Sequence, residues 1–369
     1  MMKQYIFKLL WVAVPVMLIV LFPSWALYIS GELKSLDKVT DEMIDARKHS
    51  ENKLIGYGYQ FCIKPYKRMM VQKLRPDIIA LGTSRIMQFD EDWIDDSYSF
   101  YNAGGGAYSI SRMIDFLQSL SYQPKLLIIN LDQFFFSQRS LKNNDYDGYD
   151  YTYAPAHLLG TSIINLYTDL FDGKIVIDSL LHTHNIGMNA IMNHNGFCID
   201  GTYNYGSVYT NPQLSLDYKF KDTRQRIVKG VDRFEWDNEI DTSILPDLEK
   251  LISFCDSMHT RLLVLLPPFA PAIWNQMKES GNYAYIDSIQ GVLEPYNNGV
   301  NTDIFVYNDG DEVGSNNCEF VDGFHGSNKT YLRVLMHIIN KQPSLSCYFQ
   351  SYSVLSDILE EYGDMNVEK

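Results

Sequence analysis

The sequence predicts an α/β fold built on a parallel sheet, and three observations carry that prediction. Short, predominantly apolar runs stand at Asp77–Leu81, Lys125–Asp132 and Arg261–Leu266. A strand covered by helices on both faces reads this way, without polar alternation. Between the runs, apolar residues recur at helical spacing, at Ile110, Met113, Ile114, Leu117 and Leu120 and again at Leu248, Leu251, Ile252 and Cys255. The resulting order of strand, strand, helix and strand calls for right-handed crossovers within one sheet.

The chain opens on a different kind of segment. Tyr5 to Ile29 is almost wholly apolar, Leu9 to Leu21 carries no charge, and Lys3 and Lys8 precede the uncharged core. This pattern predicts a membrane anchor over residues 1–30, with the N-terminus in the cytoplasm and the rest exported. A cleaved signal peptide, with Ser24-Trp25-Ala26 as its cleavage site, is the alternative. Apolar character that persists to Ile29 favours the retained anchor. Residues 31–75 read as a stalk leading into the domain: Gly31 to Asn52 is mixed in charge and permits a helix. Lys64, Lys67, Arg68 and Lys73 then form a basic set expected on a solvated helix face, with anionic lipid headgroups as the other reading.

Residues 76–345 are predicted to form the main domain. Pro76 marks the start of the first strand, which ends in Gly82-Thr83-Ser84-Arg85. Ser99 to Tyr101 is a short second strand leading to Asn102-Ala103-Gly104-Gly105-Gly106, and Ala107 to Leu120 is a helix. After Lys125–Asp132 the pattern degrades, and about 134–240 reads as an insertion or lid that includes the tyrosine-rich stretch Asn143–Asp150. Regular order returns with a helix at Leu245–His259, the strand Arg261–Leu266 stopped by Pro267-Pro268, and a helical Tyr283–Leu293. Asp303–Tyr307 is the last strand. A loop with Asp322-Gly323-Phe324-His325 follows, then a helix over Asn328–Asn340 expected to be capped by Ser327. Residues 346–369 are a tail with a short acidic helix.

Composition narrows the function. With 369 residues, 46 % hydrophobic and 21 % charged, the chain can bury a large core. A formal net charge of −14 argues against nucleic acid, whose binders carry basic patches. Five cysteines include no CxxC pair, which argues against a structural zinc site, and their spacings do not pair them. His182, His184 and His194 lack carboxylates at useful spacing, so no metal and no cofactor is expected. The 26 tyrosines are read first as core filler and second as stacking platforms for sugars.

The chemistry lies at the strand ends. Acyl transfer needs a nucleophile, a base, a group that orients the base, and donors for the oxyanion. Ser84 leaves the carboxyl end of a buried strand, where open α/β sheets bind ligands. Asp322 and His325 lie three apart after the last strand, a spacing that lets the carboxylate reach Nδ1 while Nε2 faces a cleft. Gly104 and Gly105 are candidate oxyanion donors through their amides. Asn102, Asp132 and Arg85 are candidate polar groups for the oxyanion or the substrate; Asp132 is alternatively a helix-start cap. The ordinary reading of Ser84 is a turn residue, and of His325 a surface histidine beside a capping Asp.

These residues resemble a family. A strand ending in Gly-Thr-Ser-Arg, a strand followed by Asn-Ala-Gly-Gly, and a late Asp-x-x-His are similar to the SGNH (GDSL-like) hydrolase superfamily. The resemblance is closest to its membrane-anchored extracytoplasmic branch, which includes alginate O-acetyltransferase and teichoic-acid D-alanyl transfer proteins. It covers Asp77–Asp132 and Arg261–Asn340 in motif order. It implies a flavodoxin-like three-layer α/β/α sandwich, Ser84 as nucleophile, Asp322 and His325 completing a triad, and the glycines around Gly105 as an oxyanion block. It also implies a surface glycan as substrate, O-acetylation or ester hydrolysis as the reaction, and a multi-spanning membrane O-acyltransferase as partner. The expected location is the cell membrane, with a single pass and a periplasmic domain. Two departures stand out: Gly-Thr-Ser replaces the usual Gly-Asp-Ser, and Asn130-Leu131-Asp132 stands where a Gly-x-Asn-Asp block is usual. A membrane-anchored glycan-binding or assembly factor without catalysis is the competing expectation.

Overall fold

A computed structural model describes residues 11, 17, 21–60, 62–143 and 155–364. Most of the expected anchor, and the tyrosine-rich stretch from residue 144, lie outside the described residues. Residues 21–29 are helical, and no described helix is long and apolar enough to cross a membrane. The chain divides into two compact units. Unit 1 draws on Met1–Cys62, Tyr151–Ile199 and Asn204–Gly206, and unit 2 on Ile63–Asp150, Asp200–Tyr203 and Ser207–Lys369.

Unit 2 is an α/β structure around five parallel strands: β1 (Ile78–Gly82), β2 (Phe100–Gly104), β3 (Leu126–Asn130), β4 (Arg261–Leu266) and β5 (Thr302–Val306). Their order is β2-β1-β3-β4-β5. Every residue of β1, β2 and β3 is buried, as the unbroken apolar runs require. One set of alternate side chains, including Ile78, Ala80, Ile128, Leu263 and Leu265, shares a core with Tyr331, Leu335 and Ile338 of the helix Asn328–Lys341. This winding has a consequence for the site. The chain leaves β1 towards β2 and returns past β1 to β3, so the connections diverge between the carboxyl ends of β1 and β3. Open sheets bind their ligands at such a point.

Three local expectations differ from the structure. β2 runs on to Gly104, because Asn102, Ala103 and Gly104 pair with Ala80, Leu81 and Gly82. Lys67 is not on a solvated face: it is fully buried in the helix Ile63–Leu74, and its ammonium donates to the carbonyls of Asn102 and Gly201. Ser327 stands at the start of its helix with extended backbone, but its side chain makes no capping bond.

Unit 1 holds the segment expected to be a stalk. It folds as the helix Leu36–Lys48, with Val39, Thr40, Met43 and Ala46 buried along one stripe. A second core joins Ala26 and Leu27 to Leu166, Ile175, Leu180, Met188 and Ile191. The buried carboxylate of Glu32 ties three segments together through the amides of Gly58 (2.6 Å) and Met188 (2.9 Å).

Candidate active site

The loop after β1 is set by a side-chain network that replaces a regular turn. Gly82 has no alternative residue: a Cβ there would stand 2.1 Å from Oδ1 of Asn130. That oxygen accepts the amide of Thr83 at 2.9 Å, and Nδ2 of Asn130 donates to Thr83 Oγ1 at 2.9 Å. Thr83 Oγ1 donates in turn to Asp132 Oδ2 at 2.8 Å. Thr83 is thereby fixed at the head of a short 3₁₀ turn, Ser84–Ile86, and its hydroxyl also accepts from the Arg85 amide. Ser84 is the first residue of that turn. Its N–H makes no hydrogen bond among the described residues, so it is an open donor beside its own hydroxyl.

The loop after β5 brings in the histidine. Ser84 Oγ lies 2.8 Å from His325 Nε2, and His325 Nδ1 lies 2.8 Å from Asp322 Oδ2. With Nδ1–H donating to the carboxylate, Nε2 is the acceptor for the serine O–H. Asp322 Oδ1 also accepts the amides of Phe324 (2.8 Å) and His325 (2.6 Å), which curls the loop around the carboxylate. Burial pushes the Asp322 carboxyl up. The His325 charge, the ring hydrogen bond and the two amides outweigh burial and hold it down at about 2. A further brace comes from Asp217, whose carboxylate accepts the Gly323 amide at 3.0 Å together with the Thr223 hydroxyl at 2.6 Å.

The structure thus brings Ser84, His325 and Asp322 into one hydrogen-bonded line, and it gives the other predicted site residues different work. Arg85 does not face a cleft. Its side chain is fully buried and donates to Gln133 Oε1 and to the carbonyls of Pro267 and Pro268, each at 2.7 Å. Its guanidinium lies over Phe269 (4.8 Å) and Phe324 (4.4 Å), so it braces the histidine loop from beneath. Asp132 is spent on Thr83, Asn130 and Arg85, and makes no helix-capping bond. Asn102 donates both amide hydrogens, to the Ile86 and Phe89 carbonyls, and its Oδ1 accepts the Gly104 amide. The Gly105 amide is shared between the Gly82 and Thr83 carbonyls at 2.9 and 3.2 Å. Gly105 is needed for its backbone instead: φ is +77°, and a Cβ would meet Met87 Cε at 2.3 Å.

Sequence reasoning missed several neighbours. Thr83, Asn130, Gln133 and Asp217 act through other residues, and no spacing marks them. Arg233 lies over the Phe134 and Phe324 rings (5.8 and 5.7 Å) and makes no ion pair among the described residues. It follows Asp232, and both adopt positive φ, +76° and +54° respectively, a local cost for non-glycine residues. The Phe324 ring in turn packs 5.0 Å from the His325 ring, edge to face. Among the described residues, no group of three or more His, Cys, Asp or Glu side chains is placed to hold a metal ion. No family model, no curated protein and no solved structure matches the chain.

Proposed function

We propose that this protein is a serine acyltransferase or esterase with an SGNH-like active site, acting on hydroxyl or ester groups of a cell-surface polysaccharide. The observation that carries the reading is the line from Ser84 Oγ through His325 to Asp322, with both links at 2.8 Å. The strand order β2-β1-β3-β4-β5 is the winding of flavodoxin-like sandwiches, and the line stands at the diverging strand ends.

In the first half-reaction, Ser84 Oγ attacks the acyl carbon of a donor ester while its proton passes to His325 Nε2. The Ser84 amide takes the oxyanion, and Asp322 stabilises the imidazolium. Collapse expels the donor alcohol, which leaves with the proton from His325. In the second half, His325 removes the proton of a sugar hydroxyl or of water as that oxygen attacks the acyl-serine, and collapse breaks the acyl–Oγ bond as His325 returns the proton to Ser84 Oγ. An acetyl group, a membrane anchor over residues 1–30 and a multi-spanning acyltransferase as donor partner complete the proposal. They rest on the motif resemblance and on the apolar N-terminal run.

A second reading, a glycan-binding factor without turnover, is favoured by one observation. The amides of Gly104 and Gly105 and the carboxamide N–H groups of Asn102 and Asn130 are all used internally, which leaves the Ser84 N–H as the open donor. Labelling with a fluorophosphonate, together with p-nitrophenyl acetate turnover, separates the two. The enzyme reading expects one label on Ser84 and loss of both signals in Ser84→Ala. An unlabelled, inert wild-type protein would select the second reading.

A further inference from the structure

The two units differ in what they leave exposed. Of the seventeen large hydrophobic side chains exposed to solvent among the described residues, ten belong to unit 1, although it is the smaller unit. They fall on two neighbouring stretches: the N-terminal helix that ends at residue 29, and the helix Pro155–Phe171 with the turn that follows it. On the second stretch Ile164 is 74 % exposed, Phe171 84 % and Leu181 56 %. Isolated exposed apolar residues are ordinary, but a set concentrated on one part of a protein marks something that covers it.

The helix Pro155–Phe171 carries little formal charge. Asp169 is its one formally charged residue, and it is already engaged by the Tyr59 hydroxyl (2.9 Å) and by Lys174 (3.1 Å). The exposed Thr168 hydroxyl donates back to the Ile164 carbonyl at 3.0 Å, so its donor is already used. At 17 residues the helix is about 25 Å long, short of the roughly 30 Å of a bilayer core. It cannot span, but it can lie in the interface.

What covers it follows from its neighbour. The helix is packed sideways against the end of the apolar N-terminal run: Leu166 shares a core with Ala26 and Leu27, and the Phe22 and Tyr167 rings lie 6.0 Å apart. If the run enters a bilayer, as the reading above has it, whatever is fastened beside its last two turns reaches the same surface. Trp25 and Tyr28, both exposed there, are the residue types that settle at headgroup level.

We propose that unit 1 is a lipid-contacting platform. The exposed side chains Ile164 and Phe171, with Ile177 and Leu181 of the following turn, seat at the headgroup interface beside the anchor, the exposed Asp178 staying in its polar layer, so that the chain is held at two places. This rests on the anchor reading, and the test keeps the two apart. The full-length protein is reconstituted in phosphatidylcholine–phosphatidylglycerol vesicles with the photo-crosslinker p-benzoylphenylalanine in place of Phe171, of Leu181, or of Trp236 in unit 2. After illumination, adducts of one lipid mass are expected at Phe171 and Leu181, at least fivefold above Trp236. Equal yields at all three positions, or a protein adduct in place of a lipid adduct, would overturn the platform. Release of the protein by alkaline carbonate before illumination would instead overturn the anchor.

Discussion

Two carboxylates, one in each unit, have nearly the same backbone setting and opposite electrostatics. Asp322 accepts two amides on Oδ1, from Phe324 and His325. Glu32 accepts two amides on Oε1, from Gly58 and Met188. The second oxygen makes the difference. Oδ2 of Asp322 meets the ring N–H of His325 at 2.8 Å, whereas Oε2 of Glu32 is buried without a hydrogen-bond partner among the described residues. Asp322 is held down at about 2, while burial pushes Glu32 up from 4.5 to about 7 against the pull of its amides. Amide donors alone do not offset the loss of hydration; the imidazole N–H at hydrogen-bonding distance, added to them, does. The pair also separates a carboxylate that fixes a histidine ring from one that ties three chain segments together.

The comparison breaks most visibly if the charge of Asp322 is removed and its shape kept. Asp322→Asn retains acceptors for the two amides but cannot hold an imidazolium. Acyl transfer from p-nitrophenyl acetate is expected to fall about 10³–10⁴-fold, with fluorophosphonate labelling of Ser84 slowed in parallel. A loss below tenfold would mean that the carboxylate does not matter to the base. Next in size is Arg85→Met, which leaves Asp132 buried opposite no cation and strips donors from Gln133 and two proline carbonyls. A loss of about 3–5 kcal/mol is expected in urea unfolding. An unchanged midpoint would show that the aromatic stack alone positions the histidine loop.

How much of this was legible in the sequence depends on the distance over which each signal acts. β1, β3 and β4 announce themselves because a strand buried on both faces must be apolar throughout, and their observed limits lie within two residues of the runs. Ser84 and the Asp322–His325 spacing are legible because strand ends and short loop spacings are local properties. Asn102 and Arg85 were not. A guanidinium next to a serine and a carboxamide near a strand end look like substrate-binding groups. Only the fold reveals that their partners, the carbonyls of Ile86, Phe89, Pro267 and Pro268, have already used their donors. Lys67 makes the same point: Lys64, Arg68 and Lys73 around it are basic and none is buried, and its own acceptors lie 35 and 134 residues away.

The smallest expected effect tests the other half of the comparison. Glu32 favours its protonated form in the folded state, so its contribution is intact below the unfolded value near 4.5 and is lost as pH rises through about 7. The full difference is about 3 kcal/mol, taking roughly 1.4 kcal/mol for each pKa unit. Glu32→Gln keeps an acceptor for the Gly58 and Met188 amides and has no charge to lose. The wild type should therefore be less stable at pH 8 than at pH 5 relative to the variant, by up to that amount in paired urea titrations. Equal pH responses in the two proteins would mean that Glu32 stays ionised in the fold, with Oε2 satisfied by water. The contrast with Asp322 would then come from hydration rather than from the imidazole beside it.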